Sequence, residues 1–130
     1  MRKMMERDRA SASLGMVVEL DDPGHAVVSM LLRDDMMNGH DITHGGFVFA
    51  LADTAFAIAC NDDVTVTVAA GADITFLKST TVGQTLRATA IERVRRGRTG
   101  LFDVTVVDES GDVVAEFRGR SIATDRAVPR

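Results

Sequence analysis

Asn38 to Asn61 reads NGHDITHGGFVFALADTAFAIACN, and what this stretch becomes decides how the rest of the chain must fold. Gly45 and Gly46 open a run that stays apolar from Phe47 to Cys60, broken by only one charge, Asp53. The run is too long and too continuous for an ordinary strand. Its alanines at 50, 52, 55, 57 and 59 favour a helix over Gly45 to Cys60. A helix that is apolar on nearly every side must be enclosed by its own domain or by a partner. An ionised carboxylate in such a helix loses its water at a cost. Asp53 therefore reaches solvent, caps a neighbouring backbone group, or serves a site.

Outward from the helix the pattern changes to strands. On the N-terminal side, Leu14 to Leu20 and His25 to Arg33 are rich in Val, Leu and Met. They flank Asp21-Asp22-Pro23-Gly24, which predicts a hairpin. Residues 1–13 carry Met4 and Met5 among charges, with Arg2 and Glu6 at i, i+4 spacing, and read as a short helix or arm. Asp34 to His44 is polar and aperiodic, a loop. Asn61-Asp62-Asp63 ends the helix. Thr65 to Lys78 is β-branched, with Gly71 marking a bulge or bend, and Gln84 to Arg95 follows it after a turn. Leu101 to Val107 alternates, with Phe102, Val104 and Val106 on one face. Val113 to Ala123 returns with Ala115, Phe117 and Gly119 aligned. Residues 124–130 read as a tail. Two strands, one enclosed helix and four further strands make an α+β class with an antiparallel sheet wrapped round one helix. Such a sheet leaves an edge strand and part of the helix uncovered, which predicts a dimer.

Length and composition allow one domain over residues 1–130, large enough to bury a core. The net charge of −4 argues against a general nucleic-acid or anionic-membrane binder. Cys60 is the only cysteine, so no intramolecular disulfide forms and a reducing compartment, the cytoplasm, is expected. The N-terminus lacks the apolar stretch of a secretory signal, and no run approaches the roughly 20 apolar residues of a membrane span.

Three features carry chemistry. Gly45 and Gly46 let a ligand oxygen approach the first-turn N–H groups, where the helix dipole also favours developing negative charge. The same pair serves equally as a packing feature. Asp53 lies seven residues beyond Gly46 and so shares its face, but at about 10 Å, from roughly 1.5 Å per residue. Groups acting on one carbonyl must each lie about 3 Å from their targets. If both act, they act in different sites, or Asp53 of one chain meets Gly46 of another. Third, Arg93, Arg95, Arg96 and Arg98 gather at one hairpin with Lys78 at the preceding turn, a grip for phosphate or a solvated tip. His44 and Asn38 read as loop residues, Cys60 as a small buried hydrophobe, and His25, His40 and His44 have no metal-ligand spacing. Nucleophile-elbow, P-loop and dinucleotide fingerprints are missing.

Asn38-Gly39-His40, His44-Gly45-Gly46 and Leu51-Ala52-Asp53-Thr54-Ala55-Phe56-Ala57 resemble the PaaI-type hotdog-fold acyl-CoA thioesterases. The resemblance continues through Asp73-Ile74-Thr75-Phe76-Leu77-Lys78, Gly83-Gln84-Thr85-Leu86 and Phe117-Arg118-Gly119, roughly from Leu14 to Ala123. It implies a hotdog fold, a curved antiparallel sheet around a long central helix, in homodimers that pair further into tetramers. It also implies Asp53 as catalytic carboxylate, the Gly46 N–H as oxyanion donor, and Asn38 and His44 as supporting polar residues. Substrate and CoA contacts fall on Gly45, Thr54, Lys78 and Ser79, and on the hairpin residues Arg95, Gly97, Arg98 and Thr99. No metal or other cofactor is implied, since CoA is part of the substrate. The expected substrate is an aromatic, phenylacetyl-CoA-like thioester. The alternatives are a short- or medium-chain aliphatic acyl-CoA, or acyl-CoA binding without hydrolysis. The chain departs from relatives in having no Tyr or Trp, Ile58 on the helix, and Lys78-Ser79 where Arg-Pro is common.

Overall fold

The computed structural model describes residues 3–129. The expected Arg2–Glu6 pair lies outside those residues. Helix α2, Gly45–Cys60, forms over the range its apolar run predicts, and every strand of the sheet reaches it. The strands are β1 (Val17–Asp22), β2 (His25–Leu31), β3 (Thr65–Phe76), β4 (Thr85–Arg96), β5 (Thr99–Val107) and β6 (Val113–Ala127). They make one antiparallel sheet in the order β1-β2-β4-β5-β6-β3. A sheet of this kind around one long helix is the hotdog fold.

The core lies between the sheet and one side of α2. Leu51, Ala52, Ala55, Phe56, Ile58 and Ala59 are buried against Val28, Met30, Ala88, Ala90, Phe102, Val104, Val106 and Phe117. The Phe56 ring sits 5.5 Å from that of Phe102 and 5.8 Å from that of Phe117. Gly119 makes room for it, since a Cβ there would stand 2.8 Å from the Phe56 ring. Removing a buried aromatic of this kind costs about 3–5 kcal/mol.

Both ends of α2 are fastened. At its C-terminus the Asn61 side chain donates to the carbonyls of Ala57 and Thr67, both at 2.9 Å, and accepts the Thr67 N–H at 2.8 Å. One residue thus ends the helix and starts β3. The Ala59 carbonyl, orphaned at the helix end, accepts the N–H of Gly24 in the β1–β2 turn, where φ is +72°. At the N-terminus, residues 34–44 hold one 3₁₀ turn at Asp34–Met36 and a bridge from Met37 to Thr43.

Three expectations change in detail. The N-terminal arm divides into a 3₁₀ turn at Lys3–Glu6 and helix α1 at Arg9–Ser13, capped by Asp8. β1 starts at Val17 rather than Leu14, because Leu14 caps α1 and Gly15 turns the chain at φ +71°. The expected tail is strand as far as Ala127. Ala123 and Ala127 pair with Thr67 and Thr65 of β3, and Thr124 donates its hydroxyl to the Val66 carbonyl at 2.6 Å. Gly71 does sit at a register shift, after Ala69.

Candidate active site

The start of α2 is capped from within. His44 is the N-cap residue, and its Nδ1 accepts the Gly46 N–H at 3.0 Å. A ring nitrogen that accepts carries no proton, so Nε2 is the protonated atom of the neutral ring. The backbone donor expected to meet an oxyanion is therefore occupied by a side chain two residues away. Gly45 offers a second amide, which bonds no group among the described residues. Gly46 is exposed and Gly45 half-buried.

Gly45 opens onto a cleft of about 460 Å³ between the loop before α2 and the turn after β3. The cleft brings together four of the expected residues, Asn38, Gly45, Lys78 and Ser79, with Ile42, Val48, Phe76, Leu77 and Val114 supplying apolar walls. Asn38 Oδ1 accepts the backbone N–H of His40 at 2.8 Å, holding a turn in which Asp41 takes φ +59°. Thr43 and Thr80 join their hydroxyls at 2.8 Å beneath the cleft and tie the two loops together. Phe76 lies across the helix start, so that a Cβ on Gly45 would come within 2.9 Å of its ring. The glycine thus lets an aromatic wall close on the helix.

Lys78 lines the cleft with its charge already matched. Its ammonium lies 2.6 Å from Asp108 and 2.7 Å from Asp112. Those hydrogen bonds, Asp108 first, raise the Lys78 pKa, and the Lys78 hydrogen bond is the main cause that lowers that of buried Asp108. Asp108 also accepts the N–H groups of Ser110 and Asp112 at 3.0 Å. This cluster pins the cleft wall to the β5–β6 turn and leaves no net positive charge for a phosphate.

Asp53 stands away from the cleft. α2 is unbroken, so the separation from Gly46 of about 10 Å holds. The carboxylate is half-buried, accepts no hydrogen bond and forms no ion pair among the described residues, and desolvation raises its pKa. It caps nothing. Gly46, Phe49, Ala50, Asp53 and Ala57 recur at helical spacing and are left incompletely covered on that side. The helix apolar all round in sequence is thus enclosed on one side and part-open along a stripe of mostly small residues, with Phe49, that holds Asp53.

The remaining expected residues lie elsewhere. Thr54 turns its hydroxyl to buried Ser11 of α1 at 3.1 Å, and Ser11 donates to Asp8 at 2.7 Å. Arg95 pairs with Glu92 at 2.9 Å and lies over the Phe102 ring, and Arg98 is hydrogen-bonded to Asp125. Gly97 makes the hairpin turn at φ +60° and Thr99 begins β5. Thr99 pairs with Ile122 and Phe76 with Ala115 of the same strand β6. The hairpin is thus about 24 Å from the cleft end of the sheet, from roughly 3.4 Å per residue. Within one chain, the cleft, Asp53 and the hairpin are three places. Burial pushes the Cys60 thiol up to about 11, which leaves it an inert hydrophobe. No cluster able to hold a metal ion occurs among the described residues. Sequence reasoning passed over Phe76, Asp108 and Asp112. Phe76 stood within a quoted motif but was given no role, and the two aspartates lie 30 and more residues from their lysine.

Known proteins agree with this architecture. The thioesterase superfamily model matches residues 40–115. The acyl-coenzyme A thioesterase PaaI of Escherichia coli K12 is 43% identical over 118 residues, 91% of this chain and 84% of that protein. The structure of E. coli PaaI, from the phenylacetic acid degradation operon, superposes with a TM-score of 0.93 at 40% identity, covering 97% of this chain and 91% of that one. The Streptococcus mutans protein smu.793, solved with acetyl-CoA bound, superposes with a TM-score of 0.80 at 25% identity, over 84% of this chain and 88% of that one. With the matched region spanning the helix, the cleft and most of the sheet, this chain belongs to the thioesterase superfamily and carries its hotdog fold.

Proposed function

We propose that this protein hydrolyses acyl-CoA thioesters, with each active site built from two chains. The observation that carries the reading is Asp53, a half-buried carboxylate without a partner among the described residues, two turns along the open stripe of the helix that begins with the Gly46 N–H. A purely structural helix gains nothing from that residue, since uncompensated burial of a carboxylate is destabilising. A two-fold axis that lays two α2 helices antiparallel brings Asp53 of the partner subunit to the glycine end of the first. The resemblance adds pairing of such dimers into tetramers and a cytoplasmic setting, where Cys60 stays reduced.

In the complete site the thioester carbonyl takes the place of the His44 imidazole at the Gly46 N–H. Asp53 then acts in one of two ways. As general base it takes a proton from water, whose oxygen bonds the carbonyl carbon. As nucleophile its own oxygen forms that bond, giving a mixed anhydride that water then opens. In both, the C–S bond breaks, the CoA thiolate leaves with the electron pair and is protonated, and the products are free acid and CoA. The amide donors at the helix start stabilise the oxyanion between the two steps. No step needs a metal or a redox cofactor.

The acyl group we favour is aromatic and phenylacetyl-like, on the resemblance and on Phe76 as a flat wall beside Gly45. Ile42, Val48, Leu77 and Val114 also line the cleft and would equally accept a short or medium aliphatic chain. Thiol release measured over a panel of acyl-CoAs decides between them. The aromatic reading requires the highest kcat/KM for phenylacetyl-CoA, and a maximum at an aliphatic chain removes it. Binding of acyl-CoA with no turnover anywhere in the panel would remove the enzyme reading itself. In a single turnover in H₂¹⁸O, label in the Asp53 carboxylate establishes the nucleophilic route with the anhydride opened at the Asp53 carbonyl, since a general base exchanges no oxygen.

A further inference from the structure

Of the basic residues expected to hold phosphate, Lys78, Arg93, Arg95 and Arg98 sit against carboxylates and only Arg96 has no ion pair among the described residues. Lys78, Arg87, Arg95, Arg98, Arg118 and Arg120 each sit against a carboxylate. Lys3, Arg7 and Arg126 have no ion-paired side chain among the described residues, and all three line one pocket of about 280 Å³. The pocket lies where β3 begins, with Val66 and Thr67 at its floor and Met4, Val128 and Pro129 at its lip. Its acid is Asp62, whose carboxylate accepts the N–H groups of Val64 and Thr65 at 2.8 Å, while Asp63 nearby accepts the backbone N–H of Lys3. Three cations drawn from the two ends of the chain around a small concave surface make a local positive site on a protein of net charge −4. Guanidinium and ammonium groups in that arrangement suit phosphate oxygens, and the apolar lip suits the organic body that carries them.

The position gives the pocket a role. Within one chain it lies at the opposite end of β3 from the cleft, about 30 Å along the strand from Thr67 to Phe76. Among the described residues the outer edge of β3 is unpaired, because β6 is its only neighbour in the sheet. A long free edge is a template for a second strand. Pairing two β3 edges about a two-fold axis through their middle sets the Thr65 end of one copy beside the Phe76 end of the other. We propose that the Lys3–Arg7–Arg126 pocket binds the phosphate-bearing nucleotide end of the acyl-CoA whose acyl group lies in the cleft of the partner subunit. This rests on the thioesterase reading above. It replaces Lys78 and the Arg95–Thr99 hairpin as the main grip on phosphate.

The test uses the full chain and two substrates, phenylacetyl-CoA and the phenylacetyl thioester of N-acetylcysteamine, which lacks the nucleotide. Calorimetric titration with CoA alone gives a readout independent of hydrolysis. Arg7 and Arg126 are exposed, so the double variant Arg7→Ala/Arg126→Ala keeps the fold. It is expected to raise KM for the CoA thioester and Kd for CoA about tenfold or more, to leave the truncated thioester unchanged, and to flatten the salt dependence of KM. Arg126→Lys in the otherwise native chain restores most of the affinity, and Arg87→Ala changes nothing. An unchanged Kd for CoA in the double variant overturns the proposal, as does equal loss on both substrates. Inorganic phosphate binding as tightly as CoA also overturns it, by making the site one for free phosphate. If no thioester is hydrolysed by the native chain while CoA affinity still depends on Arg7 and Arg126, the pocket stands and the thioesterase reading falls.

Discussion

The first turn of α2 and its third turn present opposite groups on the same side of one helix. At Gly46 there is an exposed backbone donor, held by a neutral imidazole that can be exchanged for another acceptor. At Asp53 there is an acceptor that is half withdrawn from water and has nothing to accept from among the described residues. The donor is satisfied at rest and the acceptor is not, and about 10 Å of helix keeps them apart. In the proposed reaction each is half of an arrangement for attacking a carbonyl. On the reading proposed above, a second copy completes both halves and the dimer is the working unit.

The comparison breaks most visibly at the acceptor. Asp53→Ala is expected to lower kcat by about 10³, within the range for a lost acid–base group. An effect below about tenfold in a thiol-release assay would return Asp53 to an idle surface acid. At the donor, Gly46→Pro deletes the amide hydrogen where a first-turn proline is tolerated, and should cost about 10² in kcat. Full activity in that variant would hand the oxyanion to the free amide of Gly45. A pH profile sharpens the contrast further. Because burial raises the Asp53 pKa, the acid limb of kcat/KM should lie above the ordinary carboxylate range, falling about tenfold per pH unit below it. The sign for stability follows from the same shift. A folded-state pKa above the unfolded value contributes stability only below the unfolded value, and that contribution is lost as pH rises through the folded one. Asp53→Asn should therefore raise Tm at neutral pH, with the gain disappearing in acid. A Tm gain that persists in acid would contradict this. The smallest effect is at the cap. His44→Ala should cost about 1 kcal/mol in urea unfolding at unchanged m, and no change would mean the imidazole does not hold the helix start.

The helix was fully legible, because an apolar run with five alanines and glycines before it leaves one reading, and its bounds match Gly45–Cys60. The strands were legible through alternation, as at Phe102, Val104 and Val106, all buried. Residues 124–127 were misread as a tail because Thr-Asp-Arg-Ala has no apolar periodicity; what makes them strand is an edge of β3 that local pattern does not contain. The geometry of the candidate site was half legible. Asp53 stood out as a charge in an apolar run, and Asn38, Gly45, Lys78 and Ser79 do meet in one cleft. What stayed hidden is pairing across distance: Lys78 with Asp108 and Asp112, Arg98 with Asp125, and Thr54 with Ser11. Those partners decide which charges remain for a ligand, and only the folded sheet brings them together.

The claim that the site spans two chains has a direct measurement. Asp53→Ala and Gly46→Pro chains, each inactive alone, are co-expressed in equal amounts and the mixed enzyme is assayed. Random pairing makes half the dimers mixed, and each mixed dimer holds one site with both Asp53 and Gly46 intact. Activity should therefore return to about one quarter of the native value. If the two residues act within one chain, every site in the mixture is broken and the activity stays at the level of the single variants.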